Sequence, residues 1–489
     1  MKRKTVTLCI IACDEEASIG TTIKSVLALV DEIVVVDTGS TDNTCIIAEG
    51  YGARVIEVPW QEDFAAARNA GLAEAASEWI LVLDADEHLL PVRPVQFQRL
   101  LHERDAAGYR VQVLTHRVEP SRPPAASVRL FRNHPQVRYV YPVYEQILPA
   151  LTAWADGEQL TVLDSPLTVV HDGNGGEQRA RKRERNLRIL HRALEHGPEE
   201  PYFAYRFACE NLVTLEDEVL PVAGLTVAVE HLELAWRRVA SLPSRHVRFL
   251  PYAPDLAARL AAALAALGAH ERARHELATA RRLCGDHPAL LAQSVAADTR
   301  YLWDAHDRLE PAVTAALLDR ARRDIDILRQ MPLEDGEAAV DPRCRELYPW
   351  CYLGELALLE GHVGDAAELF ERALQVDESY SFAWLGLAEC ARFAGDRKRA
   401  LKLYLRTVTE NEGNHRAWLR GCSLLDELGF HDNADSWRRK VAVQFPEHPA
   451  VLPGVRAGAA SGAASGAGAG GGPGAGAPEP AETGAGTAS

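Results

Sequence analysis

No run of about eighteen apolar residues occurs in the 489-residue chain, so no membrane-spanning helix is expected. Positive charge is also in short supply. Lys and Arg number 53 against 69 Asp and Glu, a net charge of −16, which argues against a nucleic-acid binder held by phosphate contacts and gives no general affinity for anionic membranes. The nine cysteines, at 9, 13, 45, 209, 284, 344, 351, 390 and 422, lack zinc-type pairing. Only Cys9 and Cys13 are close, as CxxxC, and an odd count fits no simple disulfide framework; free thiols in a reducing cytoplasm are expected. The start Met1-Lys2-Arg3-Lys4 is basic, but the apolar stretch behind it breaks at Cys13-Asp14-Glu15-Glu16, so it does not read as a secretory signal.

What is present divides into parts, and a length near 150 residues per domain allows about three. To about residue 175, apolar runs alternate with helical patterns: Val6–Ala12, a helix near 18–29, a strand at 32–36, a helix near 43–51, a strand at 54–58, a helix near 64–76, then 79–83. Repeated β-α-β calls for a parallel sheet covered by helices, with ligands at the carboxyl ends of the strands. The runs 109–114, 127–131, 137–141 and 160–170 read as strands without crossover helices, extending the sheet on an acceptor side. From about residue 180 helical periodicity takes over and no further strand is expected. Trp350, Trp384 and Trp418 recur every 34 residues, as do Gly361, Gly395, Gly429 and Ala366, Ala400, Ala434. That period is the tetratricopeptide repeat. A weaker echo around Leu267-Gly268-Ala269 suggests degenerate repeats earlier. The expected division is an α/β domain over 1–178, a degenerate helical region over 179–340, three repeats over 341–453, and a disordered Gly/Ala-rich tail over 454–489.

The chemistry concentrates at strand ends. Asp84-Ala85-Asp86 closes the apolar run 79–83. Two carboxylates at i and i+2, where a chain turns at a strand's carboxyl end, can converge on a hard cation such as Mn²⁺ or Mg²⁺ that keeps positions open for substrate phosphates. Asp37 ends the run Val34-Val35-Val36 and can accept hydrogen bonds from a base or ribose, with Gly39 allowing a tight turn; Asp42 reads as the N-cap of the next helix. Arg68 lies among small residues in Phe64–Leu72, within reach of the same crevice. Asp14-Glu15-Glu16 ends the first strand.

These segments, in this order, resemble the family 2 nucleotide-diphospho-sugar glycosyltransferases of GT-A fold. The family's Asn-Glu-Glu is matched by Asp14-Glu15-Glu16, its VVDxGSxD by Asp37 to Asp42, its Ala-Arg-Asn by Ala67-Arg68-Asn69, and its metal strand by Leu83-Asp84-Ala85-Asp86-Glu87. The resemblance covers roughly residues 5–175. It implies a Rossmann-like GT-A domain that uses Mn²⁺ or Mg²⁺, with a nucleotide-sugar donor contacted by Glu15, Asp37, Arg68 and Asp84, and with Asp84 and Asp86 at the metal-bound diphosphate. Where relatives with helical repeats carry His-Glu after an Arg-Leu-Phe-Arg strand, this chain keeps Arg129-Leu130-Phe131-Arg132 but then has Tyr144-Glu145. Glu145 is the candidate base that takes the acceptor's proton. His171 resembles a family histidine that completes the metal site, and Arg185-Asn186, in a basic run from Arg179, matches an Arg-Asn beside the diphosphate.

The reading is an inverting hexosyltransferase, with UDP the expected nucleotide. Its acceptor would be a peptide or protein, or a cell-envelope glycan, presented by the repeats, and a homodimer through them is compatible with the pattern. The alternative is a non-catalytic repeat scaffold with a nucleotide-sugar-binding domain, to which the Tyr144 departure lends support. A nucleotidylyltransferase is disfavoured because residues 9–16 contain no glycine.

Overall fold

The computed structural model describes residues 3–115, 125–171, 176–215, 218–247, 250–305, 308–331 and 343–451. The expected tail lies outside them. The first half is built on β1 (Val6–Ala12), α1 (Ile19–Val26), β2 (Glu32–Asp37), α2 (Thr44–Gly50), β3 (Arg54–Glu57), α3 (Phe64–Glu74), β4 (Trp79–Val82), β5 (Glu87–Leu89), α4 (Pro94–Leu101), β6 (Ala106–Thr115), β7 (Ala125–Arg132), α5 (Leu148–Glu158) and β8 (Thr161–His171). The eight strands form one sheet in the order β3-β2-β1-β4-β7-β6-β8-β5. β3, β2, β1 and β4 run parallel, and β7 joins β4 antiparallel. The whole of β4 and nearly all of β1 and β2 are buried, because helices cover both faces of a parallel sheet and leave no solvent-facing row to alternate. The sequence changes direction after β1, pairing first outward to β2 and later back to β4, so the carboxyl ends of these strands flank a switch-point crevice.

Three expectations need correction here. Residues 137–141 form no strand; the segment makes a single bridge, Val140 to Gln146, because Tyr141 and Tyr144 take positive φ values of 73° and 56° that no extended strand tolerates. A helix, α5, does precede β8, as the parallel pairing of β6 with β8 requires. The helical half also holds a two-residue ladder between Thr214–Leu215 and Glu218–Val219.

Two helices join the sheet to the helical half. α6 (Gly176–His196) lays Ile189 and Leu190 against Val143, and its Arg188 and Arg192 pair with Glu62. α7 (Pro201–Asn211) stacks Tyr202 on Tyr141 at 4.1 Å between centroids. α8 (Leu225–Ser241) packs on α7 and buries Leu232, Ala235 and Trp236. Antiparallel helix pairs then continue to residue 444.

The 34-residue period is visible in atomic detail. Gly361, Gly395 and Gly429 each end the first helix of a pair at φ 81–82°, the left-handed conformation that closes a helix most cheaply with glycine. Ala366, Ala400 and Ala434 are each fully buried. Trp384 and Trp418 donate their indole N–H to the carbonyls of Glu378 and Glu412, both at 2.9 Å. The helical half is thus a tetratricopeptide-type solenoid carried on an α/β domain.

Candidate active site

Each strand end delivers one piece of the crevice. β1 leads to Asp14, at φ 54°, whose carboxylate accepts from the Thr41 amide at 2.7 Å, while Ser40 Oγ accepts from the Asp14 amide at 2.9 Å. The loops after β1 and β2 are thereby knitted together. Glu15 accepts from Ser18 Oγ at 2.6 Å; burial, with the nearby Asp86 charge adding to it, raises its carboxyl above the usual range, although the Ser18 bond works the other way. The exposed ammonium of Lys182 on α6 faces the same carboxylate and favours its charged form.

Asp37 is buried and accepts from the amides of Gly39 and Ser40 at 3.1–3.2 Å. It therefore holds the turn behind it, while a carboxylate's remaining lone pairs leave acceptor capacity for a ligand. Asp42 does not cap α2: Asn43 occupies that position, and Asp42 accepts from the Thr44 amide at 2.9 Å.

Arg68 is the hub. α3 starts at an Asp63 cap, whose carboxylate accepts from the Ala66 amide at 2.8 Å, and presses a face of small residues on the sheet; a Cβ on Gly71 would meet Val36 at 3.0 Å. That close approach sinks Arg68 to 8 % exposure. Its Nη2 donates to Asp84 at 2.6 Å and its Nε to Glu145 at 2.7 Å, and the guanidinium lies over the Tyr139 ring. The β4–β7 register Leu81↔Leu130 sets Arg129 alongside, where it donates to Glu87 at 2.7 Å and reaches Asp84 at 3.4 Å. Burial opposes ionisation of Asp84, yet the two guanidiniums win and hold its carboxyl well below the ordinary carboxylate range. Glu87, almost wholly buried, is pushed up by desolvation despite Arg129.

Asp86 faces the other way. The antiparallel pairing Glu87↔His171 brings His171, 85 positions along the chain, to Asp86, with Nδ1 3.3 Å from the carboxylate. The Asp86 contact raises the imidazole's pKa against the effect of burial. Nδ1 is nevertheless buried without a regular hydrogen bond, so an imidazole nitrogen and a carboxylate stand together incompletely satisfied. The imidazole and carboxylate together suit Mn²⁺, and the carboxylate oxygens suit Mg²⁺, when substrate phosphates complete the shell. Among the described residues no group of three His, Cys, Asp or Glu converges closely enough to form a cage without them.

Glu145 sits on the strained loop between β7 and α5. Tyr144, where the resemblance leads one to expect histidine, is clamped: its hydroxyl accepts from Asn186 at 3.1 Å, its carbonyl accepts from Tyr202 at 2.9 Å, and its ring lies 3.6 Å beneath the Arg206 guanidinium. Arg185 packs over Phe64 at 4.7 Å, and burial lowers its pKa although the Glu145 charge works against that. Structure thus gathers Arg68, Asp84 and Glu145 in one cluster, Asp86, His171 and Glu15 in a second beside it, and Asp37 and Arg185 at the flanks.

Arg129, Glu87, Tyr139 and Arg206 were not singled out from sequence. Arg129 carried a signal, since a charge inside an apolar strand demands a buried partner. Arg206 shared a helix face with Tyr202 at i, i+4, but nothing in the chain pointed that face at the crevice.

Comparison with known proteins matches this architecture. Residues 7–140 match the model for glycosyl transferase family 2, and residues 357–423 that for a tetratricopeptide repeat. The match to glycosyl transferase family 2 thus falls on the α/β half and the match to a tetratricopeptide repeat on the helical half. A TPR repeat-containing protein of Synechococcus elongatus is 35% identical over 203 residues, 40% of this chain and 50% of that protein. An uncharacterized glycosyltransferase of Rickettsia felis is 44% identical over 80 residues, 16% of this chain and 28% of that one. The chain spans half or less of the length of these curated relatives. Among solved structures, glucosyl-3-phosphoglycerate synthase from Mycobacterium tuberculosis in complex with phosphoglyceric acid is similar with a TM-score of 0.30 and 22% identity, over 39% of this chain and 80% of that one.

Proposed function

We propose that this protein is a metal-dependent, inverting glycosyltransferase that moves a hexose-type sugar from a nucleoside diphosphate, UDP in the first instance, to a hydroxyl acceptor. The observation that carries the reading is the division of labour at the ends of β1, β2, β4 and β8: Asp86 and His171 paired on one side, and an arginine-clamped Asp84 beside Glu145 on the other. Asp86 and His171, with Asp84 behind them, are the residues that would hold Mn²⁺ or Mg²⁺. A bound ion would offset the charge that develops on the departing diphosphate. Asp37 and Glu15 line the nucleotide side, and Arg185 faces the anion from α6.

Glu145 takes the proton of the acceptor hydroxyl as its oxygen bonds to the anomeric carbon. On the opposite face the bond from that carbon to the β-phosphate oxygen breaks, and its electron pair leaves with the nucleoside diphosphate. Arg68 fixes the Glu145 carboxylate for this role through its Nε. The acceptor is a peptide or protein segment, or a cell-envelope glycan, brought by the repeat half.

The test is release of the nucleoside diphosphate from a panel of UDP- and GDP-sugars with Mn²⁺ or Mg²⁺. Wild type should turn over one donor, and Asp86→Asn should weaken Mn²⁺-dependent UDP binding by at least about tenfold, the scale on which metal sites respond to such changes. UDP binding that is equally tight in the variant would move the metal elsewhere.

A further inference from the structure

Beside the Arg68–Glu145 pair lies a cavity of about 230 Å³, larger than the ~150 Å³ that accommodates a benzene ring. Its walls come from β7 (Ser127 and Arg129), the strained loop (Tyr139 to Leu148) and α7 (Tyr202 and Arg206). The donor-side groups Glu15, Asp37, Asp86 and His171 do not line it. Arg68 and Asp84 do line it, so it adjoins the donor side through the Arg68–Asp84 contact and extends from there past Glu145 to α7.

Three guanidiniums, of Arg68, Arg129 and Arg206, and two carboxylates, of Asp84 and Glu145, line it; Glu87, outside the lining, pairs with Arg129, so the cation left without a carboxylate of its own among the described residues is Arg206. Each arginine also keeps one buried nitrogen without a hydrogen-bond partner: Nη1 of Arg68, Nε of Arg129 and Nε of Arg206. Arg68 and Arg129 are otherwise ion-paired. Arg206 is different, for its guanidinium lies on the Tyr144 and Tyr205 rings and has no carboxylate partner among the described residues. The guanidinium of Arg206, on the cavity wall and stacked on Tyr144, is the donor group there that an acceptor-rich anion would satisfy. Arginine's planar fork matches carboxylate and phosphate oxygens.

We propose that this cavity is the acceptor subsite and that it selects a hydroxyl compound bearing a phosphate or carboxylate, gripped by Arg206 on the Tyr144 ring while the hydroxyl meets Glu145. The inference rests on the transferase reading and narrows its acceptor: the part that enters the site is a small anionic group, whatever larger molecule carries it. The tyrosine at 144 then has a role that histidine would not fill as well, as a broad platform that holds the Arg206 guanidinium flat.

The first probe is inorganic phosphate, titrated calorimetrically into the full chain already saturated with UDP and Mn²⁺. Wild type should bind it, and Arg206→Gln should bind it on the order of 10- to 100-fold more weakly, the loss of one charged hydrogen-bonding partner, with Arg206→Lys in between. Phosphate that binds both proteins equally, or that UDP displaces, overturns the assignment. A second arm supplies the donor identified by nucleotide release and compares glycerol, glyceric acid and glycerol phosphate as acceptors. Transfer to the anionic compounds and not to glycerol is expected, and the preference between the two names the anion. Equal transfer to glycerol, or an Arg206→Gln variant whose KM rises as much for the donor as for the acceptor, sinks the proposal. Absence of nucleotide release from every donor would instead count against the transferase reading, and the phosphate titration still decides the cavity.

Discussion

Replacing Arg68 by Met tests whether one side chain holds the site together. The substitution keeps a long, unbranched body in a slot that is 8 % exposed but withdraws the charge from Asp84 at 2.6 Å and from Glu145 at 2.7 Å. Removing one member of a buried ion pair costs about 3–5 kcal/mol because the other is stranded. Asp84 retains a third of its side-chain exposure and keeps Arg129, so the low end applies, about 3 kcal/mol. For a domain of this size that lowers the first calorimetric transition on the order of 10 °C. The pH dependence comes from Asp84, whose folded value lies below its unfolded one near 3.9. A depressed carboxylate stabilises the fold fully above the unfolded value and loses that contribution as pH falls toward the folded one. The gap between wild type and Arg68→Met should therefore be widest at neutral pH and shrink below about pH 4. Adding Asp84→Asn to Arg68→Met should recover part of the loss, with a coupling of about 1–3 kcal/mol. A melting temperature unchanged at pH 7, or a double variant that simply sums the two singles, would refute the claim that Arg68 is the hub.

Two further outcomes bear on other parts of the chain. In the repeats, a Cβ on Gly386 would collide with three atoms of the buried Phe370 ring, whereas one on Gly364 meets nothing within 4 Å; Gly386→Ala should lose about 1–2 kcal/mol as overpacking outweighs the helix gain, and Gly364→Ala should gain up to about 1 kcal/mol. Thermal melts that rank the two the other way contradict the packing. Burial pushes the Cys9 thiol up to about 12, so it stays protonated in the fold, a contribution present below the ordinary thiol value of about 8.5 and lost only as pH climbs through the folded one. At pH 8.5 a maleimide should label exposed Cys13 and reach Cys9 only after unfolding, as peptide mass mapping would show.

The strands of the parallel half were legible to within a residue or two because their burial is continuous: Val6–Ala12 and the runs at 32 and 79 leave no doubt about where the chain must hide. The antiparallel extension was harder. Residues 137–141 alternate like a strand, but the left-handed residues at 141 and 144 break it, and nothing in the residue types Tyr and Tyr announces positive φ. That Asp37, Asp84 and Asp86 stand at or just past strand ends was legible, since each follows a continuous apolar run. Pairings across the sheet were not readable: that His171 meets Asp86 and Arg129 meets Glu87 depends on β8 and β7 returning in specific registers. Arg206 lay further out of reach, in a helix whose approach to the sheet is set by tyrosine stacking.

One contact in the helical half changes how that half should behave. Glu447, past the last repeat helix, accepts hydrogen bonds from the amides of Gly224 and Thr226 at the start of α8, and Leu220 packs into the same core as Tyr404 and Phe445. An open solenoid is a line of neighbours that can fray from either end. Here the end of the line is fastened near its beginning, and a loop with no loose end must be opened at some internal joint before it can unravel. Its units should melt together rather than peel away one by one, and since α8 packs on the helix that carries Arg206, the clasp at Glu447 also steadies one wall of the cavity from the far end of the array.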